Sequence, residues 1–200
     1  MVTRVVVIPV VVTLNGRCYA QTLGKPGRPA WTGAPSRRRN NPGGDGRCTN
    51  GPPSDSREER MFAIDPQSYD TLLAHARAEY PNEACALLAG RDHTVAKVYA
   101  LPNAEASPTF YVVEPKAQLE AMNEMDDLGW DLVGIFHSHT FTEAYPSRTD
   151  VELAAYPDAT YLILSLADPE APALRGFSIR DGQVDEVEVR VAASPDPVGG

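Results

Sequence analysis

Cysteine is scarce in this chain of 200 residues: Cys18, Cys48 and Cys85 are its three thiols. They are too few and too scattered for a disulfide framework, so a reducing cytoplasm is the expected setting. Long apolar runs are scarce as well. Val5 to Leu14 follows Arg4 and imitates the charged and apolar regions of a secretory signal. It is too short to cross a bilayer, Pro9 interrupts it, and no small-x-small cleavage site follows closely, so neither export nor membrane insertion is expected. Positive charge is missing from the part that looks foldable: ten Lys/Arg stand against four Asp/Glu in 1–60, leaving eight against twenty-three in 61–200. The two parts carry +6 and −15 within the overall −9. Phosphates would be repelled by the second, which excludes a nucleic-acid surface.

What is present has the composition of an ordinary globular protein, 42% hydrophobic and 22% charged, and its length suits one core rather than two. Proline and glycine are concentrated early. Gln21 to Arg60 is Pro, Gly, Arg, Asn and Ser with almost no aliphatic residue, too little apolar area to offset its ordering entropy. A disordered basic tail over 1–60 is expected, with Arg37, Arg38 and Arg39 as a solvated charge run. A folded domain over 61–191 and a flexible tail over 192–200 complete the expected organisation.

Regular pattern begins at Met61. Met61–Ile64 reads as a strand, and Asp65-Pro66 supplies an N-cap followed by proline at the first helical position. The helix that follows has Tyr69, Leu72, Leu73 and Ala76 as its apolar stripe and stops at Pro81. Glu83–Gly90 is a compact apolar run, expected as a buried strand. Thr94–Leu101 and Phe110–Val113 also read as strands. Pro115–Leu128 reads as an amphipathic helix with Leu119, Met122, Met125 and Leu128 on its inner face. Asp131–Phe136 forms a strand leading into His137, Arg148–Ala155 a short helix, and Tyr161–Leu166 a buried strand. Leu174–Arg180 and Gln183–Val191 form a hairpin across Asp181-Gly182.

The chemistry concentrates in His137-Ser138-His139, seven residues, then Ser147-x-x-Asp150. At a strand end, residues two apart face the same side, so His137 and His139 can present both imidazoles to one point. Asp150, returned by the intervening loop, completes three protein ligands, the number that leaves a catalytic zinc an open position. Ser147-x-x-Asp150 is equally the pattern of a helix-capping box. His75 and His93 read as a helix and a turn histidine outside any site. Cys85, flanked by small and apolar residues, reads as a buried structural thiol rather than a nucleophile. Phe141 and Tyr145, on the loop between the ligands, either line a substrate channel or anchor the loop by packing.

His-Ser-His, seven residues, Ser-x-x-Asp resembles the motif of the JAMM (MPN+) metalloproteases in residue type and spacing. Glu83, in Pro81-Asn82-Glu83-Ala84-Cys85, stands where that family places an upstream glutamate. The resemblance implies a single α/β domain with a mixed β-sheet flanked by helices, and one zinc ion per chain held by His137, His139 and Asp150. It also implies that Glu83 takes a proton from the attacking water and delivers one to the leaving amine, and that Ser147 stabilises the oxyanion. Outside a motif of this kind, Glu83 would read as a solvated helix-end carboxylate. The surrounding text, Ser107-Pro108-Thr109-Phe110-Tyr111 and Thr142 to Asp150, is similar to the actinobacterial Mec branch. Its members remove cysteine from the C-terminal glycine of a ubiquitin-like sulfur carrier of the CysO type. Thr140 departs from the proline that many JAMM proteases carry after the second histidine, which bears on the shape of the loop.

Two other readings compete. A metal-free scaffold of the same fold is disfavoured by the full ligand set, whereas a general zinc isopeptidase or small-peptide hydrolase without a dedicated carrier uses the same residues. Thermolysin-like proteases and zinc nucleoside deaminases are set aside, because neither His-Glu-x-x-His nor Pro-Cys-x-x-Cys occurs.

Overall fold

A computed structural model of the chain describes residues 61–192, together with the backbone of two three-residue strands, Val12–Leu14 (β1) and Arg17–Tyr19 (β2), paired antiparallel. The rest of the basic N-terminal segment, including the Arg37 to Arg39 run, and the last eight residues lie outside the described residues. Elements then follow in the order β3 (Met61–Ile64), α1 (Pro66–Glu79), β4 (Cys85–Arg91), β5 (Thr94–Leu101), α2 (Pro115–Asp127), β6 (Asp131–His139), α3 (Arg148–Leu153), β7 (Thr160–Ser165), β8 (Ala173–Arg180) and β9 (Gln183–Val191).

Local chemistry accounts for the boundaries. The Asp65 carboxylate accepts the Ser68 N–H at 3.0 Å and Pro66 opens α1, so the helix starts where its orphan donors find an acceptor. Glu114 performs the same service for α2, accepting from Lys116 N and Ala117 N at 3.1 and 2.7 Å ahead of Pro115. Between β8 and β9, Asp181 and Gly182 both take positive φ, 51° and 81°, the pair a two-residue hairpin turn requires.

The sheet is mixed, in the order β3-β5-β4-β6-β7-β8-β9, and β9 pairs back onto β3 to close it into a barrel. Parallel pairing occurs at β3–β5, β3–β9 and β6–β7, and the other ladders are antiparallel. Strand alternation divides the core in two. Leu72 and Ala76 of α1 pack with Phe62, Ala86, Leu88, Phe136 and Leu162. Met122 and Met125 of α2 pack with Cys85, Leu87, Ile135, Ile163 and Phe177. A bulge where the β4–β6 register shifts lets Val133 join the first cluster while Leu132 and Ile135 face the second. A second irregularity lies at Ala89/Gly90 of β4. There a Cβ on Gly90 would stand 1.8 Å from the Thr94 carbonyl oxygen, so only glycine lets the hairpin backbones approach.

Two expected features differ. Phe110–Val113 is not a strand; it makes only the isolated bridges Asn103↔Val113 and Ser107↔Phe110, because no neighbouring strand runs beside it. On α2 the buried face is Gln118, Ala121, Met122 and Met125, whereas Leu119 and Leu128 are exposed. Among the described residues no helix is long and apolar enough to cross a membrane.

Candidate metal centre and active site

The histidine pair occupies the C-terminal end of β6, which runs three residues beyond the expected Asp131–Phe136 strand to include both rings. Antiparallel β4 and parallel β7 flank it, with His137 opposite Cys85 on one side and Ile163 on the other. Hydrogen-bonded neighbours on both sides make this a rigid place to mount ligands. Ser138, between the two histidines, points away from them. Its Oγ accepts the Ala84 N–H at 2.9 Å and its own N–H donates to Ala84 O at 3.0 Å. The residue after Glu83 is thereby sewn to the centre of the His-Ser-His segment. Glu83 is fixed further by its N–H donating to Ser107 O at 2.9 Å, and it is buried at 7% exposure.

Asp150 reaches the pair as the third residue of α3. Ser147 Oγ accepts the Asp150 N–H at 3.2 Å, and Asp150 Oδ2 accepts the Ser147 N–H at 2.7 Å. The capping box is therefore real, and it does not compete with a ligand role: Oδ1 faces His137 Nε2 at 3.5 Å while Oδ2 lies 3.7 Å from His139 Nε2. The two Nε2 atoms are 3.1 Å apart. Donors bound at zinc distances of about 2.0 to 2.1 Å in a tetrahedron stand about 3.3 Å from one another. The three measured separations bracket that value, and all three residues are buried.

The chain also sets the tautomer of one ring. His139 Nδ1 donates to the Glu143 carbonyl at 2.8 Å, which leaves the Nε2 lone pair directed at the common point. The loop that supplies this carbonyl is pinned at two points of its first half: Thr140 Oγ1 donates to Pro108 O at 2.8 Å and Ser165 Oγ to Thr142 O at 2.6 Å. Thr140 thus gives the loop a hydrogen-bonded start where proline would have given a rigid one. Of the two loop aromatics, Tyr145 packs edge-on against Phe177 under Arg175, whereas Phe141 is 61% exposed and meets the edge of Tyr80.

Electrostatics follow from burial. Desolvation raises the Glu83 carboxyl above the usual range, and the two histidines only partly offset it while Asp150 adds to it. Burial acts the same way on Asp150, yet His137, His139 and the Ser147 side chain outweigh it and hold that carboxyl well below the usual range. Two buried carboxyls are thus driven apart, one shifted up and one kept as an anion. Burial pushes the Cys85 thiol up to about 12, as befits a structural residue. His75 donates to the Cys85 carbonyl and His93 sits in the β4–β5 turn, both outside the site.

Sequence reasoning passed over two residues. Tyr111 is buried and stacks on His137, ring centroids 4.8 Å apart and planes at 22°. Asn103, just past β5, bonds to four backbone groups around the site. An asparagine directly after a strand, twenty residues beyond Glu83, was the one signal available for it.

A buried His-His-Asp cluster at the end of a central strand, with a buried glutamate beside it, is a donor set that could hold a metal ion, the arrangement of a hydrolase centre. Residues 65–179 match the family described as prokaryotic homologs of the JAB domain, and the chain belongs to it, as a JAMM-type hydrolase. Among curated proteins it is 47% identical over 124 residues to the CysO-cysteine peptidase of Mycobacterium tuberculosis, covering 61% of this chain and 85% of that one. It is 35% identical over 103 residues to the desampylase of Haloferax volcanii, covering 48% of this chain and 74% of the relative. A solution structure of a Desulfitobacterium hafniense protein aligns with TM-score 0.62 at 40% identity, covering 68% of this chain and 96% of that chain.

Proposed function

We propose that the protein is a zinc peptidase acting in the cytoplasm on a ubiquitin-like sulfur carrier. It would cut the amide bond after the carrier's C-terminal Gly-Gly and release cysteine. The observation that carries this reading is the convergence of His137 Nε2, His139 Nε2 and Asp150 on one buried point beside Glu83. His137, His139 and Asp150 would hold the metal. When bound there, zinc supplies Lewis-acid polarisation of the scissile carbonyl and makes water acidic near neutral pH.

The remaining steps belong to the chain. Glu83, whose carboxyl burial raises above the usual range, takes a proton from the attacking water and returns it to the leaving amine as the C–N bond breaks. Ser147 accepts the Asp150 N–H through an Oγ lone pair, and its hydroxyl keeps a donor that would turn to the developing oxyanion. The carrier and its cysteine adduct come from the CysO-cysteine peptidase relative.

The test is intact-mass analysis of a CysO-type carrier ending in Gly-Gly-Cys, incubated with zinc-loaded protein and with Glu83→Ala. Loss of the terminal cysteine with wild type alone is the expected result. An untouched carrier in the presence of bound zinc would overturn the substrate assignment. The desampylase relative favours a second reading, cleavage of carrier–lysine isopeptides, which the same assay reads with a conjugate as substrate.

A further inference from the structure

Glu83 lies just ahead of β4 and His137 on β6, and a side chain outside the motif positions joins their surroundings. Asn103 Nδ2 donates to the Glu83 carbonyl at 2.9 Å and to the Phe110 carbonyl at 3.0 Å. Its Oδ1 accepts from Val112 N at 3.0 Å and from Glu105 N at 3.1 Å. An asparagine amide offers two donors and two acceptor lone pairs, and all four are engaged. Phe110 and Val112 are the neighbours of Tyr111, so one amide holds the peptide groups on both sides of that residue.

Tyr111 in turn lies flat on His137. The two histidines are held differently. His139 is oriented by a polar contact at Nδ1, but the Nδ1 of His137 is buried with no hydrogen-bond partner among the described residues. Asp150 and His139 meet the His137 ring at Nε2, and the stacked face of Tyr111 restrains its plane. We propose that Asn103 is a positioning residue whose side-chain amide sets, at once, the backbone of Glu83 and the Tyr111 ring that orients His137. This inference rests on reading His137 as a metal ligand and Glu83 as the proton carrier.

Asn103→Asp is the informative change. It keeps the shape and the acceptor for Val112 and Glu105, but removes both donors and sets a carboxylate oxygen against the carbonyls of Glu83 and Phe110. Zinc affinity, measured by chelator competition, is expected to fall about tenfold in Asn103→Asp and in Tyr111→Leu, the scale of losses when a ligand's support is removed. The double variant should bind no more weakly than the weaker single, because both changes act through one path.

With the carrier substrate, kcat should fall about tenfold or more with KM within about twofold, and the loss should vanish in a Glu83→Gln background. A merely structural role would lower the melting temperature without that dependence on Glu83. Wild-type zinc affinity in Asn103→Asp, or losses that multiply in the double variant, would overturn the proposal. If wild type cleaves no carrier, the functional reading fails while the zinc measurements still decide for Asn103. If Asn103→Asp does not fold, Tyr111→Leu carries the zinc test alone: a tenfold loss supports the proposal and an unchanged affinity overturns it.

Discussion

Replacing Glu83 with glutamine isolates proton transfer from everything else the site does. Gln has the same shape, so the backbone anchors through Ser107 O and the Asn103 amide persist. The proposed ligands His137, His139 and Asp150 are untouched. General acid–base catalysis is worth about 10² to 10⁴ in rate. The other carboxylate in the site, Asp150, is committed to the Ser147 N–H and faces both imidazoles, so it cannot take over. The loss in kcat should therefore lie in the upper part of that range, about 10³ to 10⁴, or about 4 to 5 kcal/mol of barrier.

Stability should move the opposite way. The Glu83 carboxyl is raised above its unfolded value, so its contribution is full below that value and is lost as pH rises through the folded one. Where the carboxyl is ionised, its buried charge opposes folding, and Gln removes the penalty. Zinc-free Glu83→Gln should resist denaturant better than wild type at pH 8, and the gap should narrow at pH 4. The assay is cysteine release by mass analysis, with zinc content and denaturation run beside it. A variant that keeps a tenth of wild-type kcat would refute the role of Glu83, and a variant that has lost zinc would refute the claim that the two functions separate.

Three further outcomes follow from the geometry. Ser147→Ala should lose both a helix cap, about 1 kcal/mol of stability, and an oxyanion donor, about 10² in kcat. Ser147→Asp should restore the melting temperature without the activity. Cys85, pushed up to about 12 from 9.0, should resist alkylation at pH 8 until the protein unfolds, as read by peptide mapping. With a folded value above the unfolded one, its contribution to stability should hold below pH 9 and fade as pH rises toward 12. Gly90→Ala should cost about 3 kcal/mol or more by thermal melting, since its Cβ would overlap the Thr94 carbonyl.

Local signals were readable wherever one residue type has one use. Asp65-Pro66, Asp181-Gly182 and the span of β5 appear where pattern and turn chemistry place them. The His-Ser-His pair and Asp150 were legible because alternation and a capping box are short-range geometry, and the structure joins them in one cluster. Legibility failed where distant partners decide. Barrel closure depends on β3 meeting β9 across the whole domain, which no local period encodes. The buried face of α2 includes Gln118, which an apolar pattern cannot select, while Leu119 is left outside. Tyr111 stacks on His137 from a segment without regular structure, so only the tertiary contact reveals it.

The six residues of α3 are too few to hold a helix in water, where shorter than about 12 residues is marginal even for good formers. One of them is nevertheless a candidate ligand, presented by a box that exists only while the first turn is wound. With an ion held by Asp150, metal capture and helix winding would be a single equilibrium, and the ion's free energy would reach residues 148–153 before the rest of the domain. Removing the metal should leave the barrel closed while amide hydrogens of that turn exchange freely, so the ion's occupancy can be read from the protection of one helix without any substrate present.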